Sequence, residues 1–443
     1  MSEYKIKLEL AIALLSFFVV LLFILTYKTG LTDNYFHYLV AKQIIKTPEM
    51  LYKPIPPDHP GRLYTTPWSG GNSIYFYPPL THLLLAVVFL LKLSPEMLFI
   101  LSFGVVLFLV YKIKPEAVVF LFVSFMLIRV VIHGSNDVLI TALALASFYF
   151  FEKKPLLSGF LAGLCPLVKG TGFLFLGSYF LCIILIKHKE LLTLKFFRSK
   201  YFYVFLIALF TLVPWYGRNF ILTNGDLFNT FIGQSTEEVT TGEAWLKSGD
   251  QASQPERSII DISGFYPLPV DLLFYMGIGF TIYNLAKIKK LNLEYIIIII
   301  YVLIYFLFNL LHQTWLSPWR YYLPIYPLLA IEIGKFIKNV DKEVKLALYG
   351  IAIFLFVVWL FYIPQYSFNG HWAGVNNVCL KYKYLAGTGS VYVESYNNWF
   401  VIYACNFNAT TKNYANWIVV VNDFKDFRSE LNETQNNSNN SSV

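Results

Sequence analysis

The chain has 443 residues, of which 56% are hydrophobic and 14% are charged, whereas soluble domains carry roughly 25% charged residues. A soluble core of this size cannot hide so much apolar surface, so the composition excludes a soluble globular protein. The net charge of +8 does not indicate a nucleic-acid partner, because Lys and Arg lie mainly in short loops between apolar runs. We predict a multi-pass protein of the cell membrane.

The apolar runs predict an all-α polytopic fold, since a crossing needs roughly 20 apolar residues. The first run, 8–26, has no cleavage pattern and is interpreted as a retained helix. The later runs are 80–91, 97–111, 117–132, 138–151, 156–186 (a hairpin by its length), 202–222, 265–286, 295–311, 321–337 and 344–363. Because 80–91 and 97–111 are both short, we predict that one is a partial or re-entrant helix. The count is 11 spans, or 12 if both cross.

Basic clusters predict the orientation, because cytoplasmic loops collect Lys and Arg. The clusters are Lys112 with Lys114, Lys153 with Lys154, and the segments 187–200, 287–290 and 335–345. Placing them inside puts the N-terminus in the cytoplasm. The segments that then lie on the outer face are 28–79, 133–137, the turn at Lys169, 223–264, 312–320 and the tail after 364.

The predicted domains follow from this topology. A transmembrane domain covers 1–363; its first outer loop, 28–79, carries an amphipathic helix, and its large outer loop is 223–264. A small extracytoplasmic α/β domain covers 364–430, with strands at 390–394, 400–405 and 418–421, and an Asn/Ser tail at 431–443 is predicted to be disordered. Cys379 and Cys405 could form a disulfide if this domain lies outside the cytoplasm. Cys165 and Cys182 are interpreted as core residues, and no Cys/His metal spacing occurs.

Two carboxylates are candidates at the outer face. Asp33 begins the helix after the first span, in which Tyr35, Tyr38, Leu39 and Ile45 mark the apolar side. It is either an N-cap or a catalytic or substrate-binding group, and the two roles are compatible. Asp137, in the turn "HGSND", is likewise either a cap or a carboxylate beside Lys169.

Several cations are predicted at the same face. Lys169 is the only charge between Lys154 and Lys187, and is either a snorkelling lysine or a phosphate ligand. Arg218 and Arg320 each come shortly after a Trp, and outer-face arginines need an anionic partner because they oppose the positive-inside bias. Together with His312 they predict a basic, membrane-embedded pocket for a lipid-linked phosphate.

Five segments, in order, resemble the GT-C glycosyltransferases: "DNYFHYLVAKQI", "YFYPPLTHLLL", "HGSNDVLITALALASFYFFEKKPLLSGFLAGLCPLVKGTGFLFL", "PWYGRNFILTNGDLF" and "WRYYLPIYPLLAI". The first three are similar to the dolichyl- or polyprenyl-phosphate-mannose-dependent mannosyltransferases, including the glycolipid-anchor group. The last two are similar to the lipid-A aminoarabinose and protein-mannosyl transferases. The likeness spans roughly residues 30–335. It implies a multi-pass enzyme that uses polyprenyl-phosphate sugars.

The resemblance also implies roles for residues. The family's first-loop acidic residue falls on Asp33, its second outer-loop acidic residue on Asp137, and the basic residue before the next helix on Lys169. The tyrosine-proline element falls on Tyr77, Pro78 and Pro79. This chain has Asp33-Asn34-Tyr35 where many relatives have Asp-x-Asp, so a metal-binding pair is missing there. No cofactor is implied, and a divalent-metal requirement is in doubt.

The implied reaction is an inverting sugar transfer. Asp33 is expected to accept the proton of the acceptor hydroxyl. Lys169, with Arg218 or Arg320, is expected to stabilise the leaving polyprenyl phosphate, and Asp137 to orient the acceptor or sugar. His133 and His37 are lesser candidates.

Mannose is the sugar that the resemblance favours, and the acceptor is a lipid-linked glycan, a glycolipid or a protein. The alternatives are a lipid-linked glycan ligase or polymerase, which the loop 223–264 would suit, and a lipid-linked sugar transporter. A transporter is disfavoured because the charges lie at one face rather than at the bilayer midplane.

Overall fold

The structure is a computed structural model that describes residues 8–27, 32–56, 66–67, 73–186, 194–225, 271–288, 293–312 and 318–362, with short stretches after 378. It divides into two compact units. The first contains 1–28, 77–81 and 94–362, and the second contains 29–76, 82–93 and 363–443. The domain boundaries drawn from the sequence stay a prediction.

Helices make up most of the described chain, as the composition predicts. In chain order the elements are α1 (Leu8–Tyr27), α2 (Thr32–Lys46), a 3₁₀ turn (Pro48–Leu51), β1 (Thr66–Pro67), β2 (Ser73–Ile74), α3 (Leu80–Leu90), α4 (Glu96–Ile113), α5 (Ala117–Leu121), α6 (Phe125–Ile132), α7 (Asn136–Phe150), α8 (Pro155–Val168), α9 (Gly172–Ile186), α10 (Leu194–Phe197), α11 (Lys200–Leu222), α12 (Leu272–Ile288), α13 (Leu293–His312), a 3₁₀ helix (Pro318–Ile325), α14 (Tyr326–Ile337), α15 (Lys342–Tyr362), β3 (Val391–Glu394) and β4 (Trp417–Val420).

Three helices in the described residues, α4, α11 and α15, are long and apolar enough to cross a membrane. The pair α6 and α7 adds a fourth if it is one span bent by 117°, and six further apolar helical stretches have 10–17 residues. By length, therefore, the described residues do not reach the 11 or 12 spans that the sequence predicts. With apolar helices throughout, the chain is a multi-pass membrane protein.

The segment before α4 is one of the two short runs of which the sequence predicts that one is partial or re-entrant, and whether it crosses the membrane stays a prediction. With 11 residues, α3 is only about 16 Å long, roughly half of a 30 Å hydrocarbon core. Its exposed side is nevertheless apolar, with Leu83, Val87 and Leu90 spaced along one face. α4, in contrast, has 18 residues.

Two predicted spans are wrong in detail. The run 117–132 is split into α5 and α6, because the Ser124 hydroxyl accepts a hydrogen bond from the Leu127 amide and begins a new helix. The run 321–337 starts in the 3₁₀ helix, so the α-helical part, α14, has 12 residues. Hydropathy averages over such breaks and does not detect them.

The helices of the first unit pack closely where glycine removes the side chain. On α8, a Cβ at Gly159 would lie 2.5 Å from the Val204 carbonyl oxygen of α11, and one at Gly163 would lie 2.6 Å from that of Ala208. Small residues let membrane helices approach to backbone contact, where dispersion holds them together. This contact fixes α8 against α11 directly below the Lys169 turn.

Charged groups join the ends of helices that the topology assigns to the cytoplasmic side. The Lys345 ammonium lies 3.0 Å from a Glu9 carboxylate oxygen and 3.8 Å from one of Glu116. Lys114 lies 3.6 Å from Glu116, and the Tyr349 hydroxyl donates to Glu9 over 3.1 Å. These ends of α1, α4, α5 and α15 therefore lie on one side, as the charge pattern predicts. Which side faces the cytoplasm stays a prediction.

The second unit contains α2, with Tyr35, Tyr38, Leu39 and Ile44 buried. The fourth predicted apolar residue, Ile45, is 39% exposed, and the placement of this helix on the membrane surface stays a prediction. β1 and β2 pair antiparallel, and β3 and β4 pair parallel.

Cys379 and Cys405, whose pairing the sequence left open, form a disulfide. The predicted strand 400–405 is wrong at both of its described residues, Ile402 and Cys405, which are helical. The predicted large loop, apart from residues 223–225, and the tail 431–443 lie outside the described residues.

Candidate functional site

The centre of the site in the first unit is an ion pair between Lys169 and Asp137. The Lys169 ammonium lies 3.2 Å from Oδ1 and 3.5 Å from Oδ2 of Asp137. The aspartate side chain is 3% exposed and the lysine side chain 27%. A charge removed from water needs a partner and further hydrogen bonds, and the Ser135 hydroxyl donates to Oδ2 of Asp137 over 2.7 Å. The predicted contact between Asp137 and Lys169 is confirmed.

Asp137 is held by the turn between α6 and α7. Gly134 has φ +69°, a left-handed conformation that glycine adopts without cost, and it reverses the chain after α6. The predicted N-cap role of Asp137 is wrong, because Ser135 caps α7 by accepting from the Asp137 amide. Asp137 instead lies in the first turn of α7, where the helix dipole stabilises a carboxylate.

Lys169 is held by the hairpin between α8 and α9. α8 ends at Val168 and Lys169 itself is extended. The return of the chain requires glycine at position 172, since a Cβ there would lie 2.2 Å from the Cys165 carbonyl oxygen. Pro166, which lacks an amide hydrogen, offers its carbonyl to the Tyr216 hydroxyl of α11 over 3.2 Å.

The tyrosine-proline element lies beside this turn. The Thr81 hydroxyl, in the first turn of α3, donates to the Val168 carbonyl over 3.3 Å. Tyr77, Pro78 and Pro79 directly precede it in the same unit, and Tyr77 is 45% exposed. Each of the predicted residues Tyr77 and Lys169 is therefore close in sequence to one partner of the Thr81–Val168 hydrogen bond.

The two predicted arginines differ in how much of them the structure describes. The Arg218 guanidinium stacks 4.8 Å from the Trp215 ring and donates to the Asn219 side chain over 2.6 Å. Arg320 lies in the 3₁₀ helix, which packs against α7 and is held by Tyr322 against Tyr305 at 4.5 Å between ring centres. The Arg320 side chain lies outside the described residues.

The two histidines of the predicted pocket are also placed unequally. His133 is 2% exposed at the end of α6, so it is buried beside the turn that carries Asp137. His312 is the last residue of α13, and its side chain lies outside the described residues.

An apolar groove of about 620 Å³ runs between α9 and α11. Its lining residues are Phe173, Leu176, Gly177, Phe180, Leu209, Leu212, Val213, Tyr216, Gly217 and Phe220. Phe173 follows the Lys169 turn by one helical turn, and Gly217 precedes Arg218. Two of the lining residues, Phe173 and Gly217, are thus close in sequence to the predicted cations Lys169 and Arg218.

The second unit holds the other candidate carboxylate. Asp33 is the second residue of α2, which begins at Thr32, so it is not the residue that precedes the helix as a cap would be. Its side chain lies outside the described residues. One turn later, Nδ1 of His37 lies 2.7 Å from Nε2 of His82, and Nδ1 of His82 is hydrogen-bonded to the Tyr75 hydroxyl.

The sequence analysis did not identify His82, Tyr75 or Asp271 as functional candidates. Asp271 is 7% exposed and accepts a hydrogen bond from the Ser124 hydroxyl over 2.8 Å. Each is a single polar group in or beside an apolar run, and that is the signal that could have identified it. Among the described residues no group of three or more His, Cys, Asp or Glu is placed to hold a metal ion.

No known protein family and no curated protein match the sequence. One solved structure that matches is that of ArnT from Cupriavidus metallidurans bound to undecaprenyl phosphate, with 16% identity and a TM-score of 0.48. The match covers 75% of this chain and 60% of the ArnT chain, so the chain spans less than two thirds of that protein. A likeness this distant assigns no activity or ligand to this chain.

Proposed function

We propose that this chain is an integral membrane glycosyltransferase that transfers a sugar from a polyprenyl-phosphate donor. The observation that carries the proposal is the buried Asp137–Lys169 pair at the ends of α7 and α8. Ionisable groups among apolar helices are costly and mark functional sites by default. The apolar groove between α9, the helix that follows Lys169, and α11 suits a long hydrocarbon chain attached to a charged head.

The chemistry follows from the charges that the site holds. When the bond between sugar and phosphate breaks, negative charge develops on the leaving phosphate, and fixed cations stabilise it. Lys169 is such a cation: an ammonium has three donors, and a phosphate oxygen can replace one of the carboxylate oxygens around it. We assign Arg218 or Arg320 to the same phosphate, because a guanidinium group binds phosphate with two parallel hydrogen bonds.

The remaining residues of the proposal act on the sugar and the acceptor. Asp33 is the general base in an inverting, metal-free transfer, Asp137 orients the acceptor or sugar, and Tyr77 and His133 line the substrate site. The donor sugar is mannose, and the acceptor is a lipid-linked glycan, a glycolipid or a protein at the outer face. These assignments extend the resemblance to the GT-C glycosyltransferases.

The test uses membranes that contain the intact chain or Asp33→Asn. Each receives radiolabelled polyprenyl-phosphate mannose or a nucleotide-activated mannose, with and without a chelator. We expect transfer only from the polyprenyl donor, unchanged by the chelator and reduced at least about 100-fold in Asp33→Asn, the usual range for loss of a general base. Transfer from the nucleotide donor, or full activity of Asp33→Asn, would contradict the proposal. Other polyprenyl-phosphate sugars test the choice of mannose separately.

A further inference from the structure

Tyr75, His82 and His37 form a hydrogen-bonded chain in the second unit. Tyr75 and His82 are 0% and 1% exposed, whereas His37 is half-buried. The Tyr75 hydroxyl is hydrogen-bonded to Nδ1 of His82, and Nε2 of His82 is hydrogen-bonded to Nδ1 of His37 over 2.7 Å. Both ring nitrogens of the buried His82 therefore take part in hydrogen bonds, and His37 is the more accessible of the two rings.

The short distance between the two imidazole rings limits how many protons His37 and His82 can carry together. A single hydrogen lies between Nε2 of His82 and Nδ1 of His37, because two N–H groups cannot point at each other across 2.7 Å. Both rings therefore cannot be imidazolium ions together. One added proton is accommodated on His82, since an imidazolium ring donates through both nitrogens. Its two acceptors are then the Tyr75 oxygen and Nδ1 of His37, and charge-assisted bonds of this kind offset the cost of burying the charge.

We propose that the hydrogen-bonded side chains of His37, His82 and Tyr75 take over the proton that Asp33 removes from the acceptor hydroxyl. This inference rests on the function proposed above. Asp33 and His37 are four residues apart on α2, which places the two positions on one face of the helix. The proton passes from the carboxyl group to Nε2 of His37. Nδ1 of His37 then gives its hydrogen to Nε2 of His82, which becomes the imidazolium. Asp33 is thereby returned to the carboxylate. After product release, Nε2 of His82 returns a proton to Nδ1 of His37, and Nε2 of His37 releases its proton to water.

The surrounding charges favour a single proton on the chain. Among the described residues, the charged groups of the elements packed here are Lys42 and Lys46 on α2, Glu49 in the 3₁₀ turn and Lys92 after α3. Lys42 lies 5.6 Å from the centre of the Phe89 ring of α3, and burial, followed by the charge of Lys46, lowers the pKa of Lys42. Nearby ammonium groups disfavour a second positive charge.

The variant His37→Asn tests whether His37 carries a proton or only supports the local structure. The Asn amide keeps a hydrogen-bonding group near the position of Nδ1, so His82 keeps its partner, but an amide does not carry a proton at neutral pH. We expect kcat to fall about tenfold or more with the donor KM and the unfolding midpoint little changed. The acid limb of the pH profile should move from about 6.5, the range of histidine, toward about 4, the range of a carboxylate.

Gln43→Ala is the matched control on the same helix, since the Gln43 side chain donates a hydrogen bond to the Thr47 hydroxyl over 2.8 Å and takes no part in the proposed proton transfer. It should leave both kcat and the acid limb unchanged. Tyr75→Phe removes one acceptor of the imidazolium and should move the acid limb to lower pH. If Asp33→Asn is inactive while His37→Asn keeps the wild-type rate and acid limb, the proton chain is wrong and the proposed function stands.

A second readout needs no activity. In the full-length protein labelled with ¹⁵N-histidine, His37 and His82 should take up one proton together between about pH 5 and 8, with Nδ1 and Nε2 of His82 both protonated at the end. Two independent single-proton titrations would overturn the inference. If the wild type transfers no sugar, the proposed function fails, and this titration still decides whether the chain shares one proton.

Discussion

Lys169 and Asp137 show what a single residue reveals in an apolar sequence. Both stand out because few charges interrupt the surrounding helices, so their pairing could be predicted from position alone. Ser135 could not, because its two bonds, as cap of α7 and as donor to Asp137, depend on the backbone path at Gly134. His82 and Tyr75 were missed for the same reason: a hydrogen-bonded chain depends on tertiary contacts between α2 and α3 that no local pattern encodes.

Removing one partner of the buried pair should be costly. Lys169→Gln leaves the Asp137 carboxylate 3% exposed without its cation, and we expect a loss of about 3–5 kcal/mol in the free energy of unfolding. Asp137→Asn should cost a similar amount, and the double variant less than the sum, because the two residues interact directly. Thermal and denaturant unfolding in detergent measure these changes.

Lys200→Gln is the control for this prediction. Lys200 pairs with Glu152, and the two side chains are 39% and 65% exposed. Exposed pairs contribute about 0–1 kcal/mol, so this variant should unfold almost like the wild type. If Lys169→Gln is no more destabilised than Lys200→Gln, the pair at the site is not buried as described.

At the scale of elements, hydropathy predicts where helices lie but not where they break. The predicted run 202–222 agrees with α11 within two residues and 344–363 agrees with α15 equally well. The break between α5 and α6 was missed because it depends on Ser124 as a cap. The prediction that one of 80–91 and 97–111 is a partial helix came from their lengths and from the placement of the basic clusters, and α3 is the shorter of the two helices. The parallel pairing of β3 with β4 joins distant segments and could not be predicted from local sequence.

The contact between α8 and α11 gives a prediction about packing. In Gly163→Ala, the new Cβ would lie 2.6 Å from the Ala208 carbonyl oxygen and 2.8 Å from Cβ of Thr211. Because backbone cannot yield without shifting the helix, we expect a loss of about 1–3 kcal/mol and a lower unfolding midpoint. Gly279→Ala on α12 is the control, since among the described residues no atom outside its own helix backbone lies within 4 Å of its Cβ position. It should be neutral or stabilising by up to about 1 kcal/mol; equal losses in both variants would contradict the described contact.

At the scale of the whole molecule, two sets of helix ends support the predicted alternation of loops. The ion pairs of Glu9, Glu116 and Lys345 join ends assigned to one side. The contacts of Val168, Asp137 and Lys169 join ends assigned to the other. In the predicted topology, the Asp137–Lys169 pair lies at one face of the membrane, opposite the face that carries Glu9, Glu116 and Lys345. The outer location of this face stays a prediction.

The central claim is that the chain cleaves a polyprenyl-phosphate sugar and does not merely move it. The most direct measurement uses purified protein in liposomes with a donor that carries one label in the sugar and another in the polyprenyl phosphate, plus a candidate acceptor. If the proposed function is right, we expect glycosylated acceptor and free polyprenyl phosphate to appear together in equal amounts, and Lys169→Gln to slow the formation of both products. Transfer of the doubly labelled lipid across the bilayer without cleavage would contradict it and would identify a transporter.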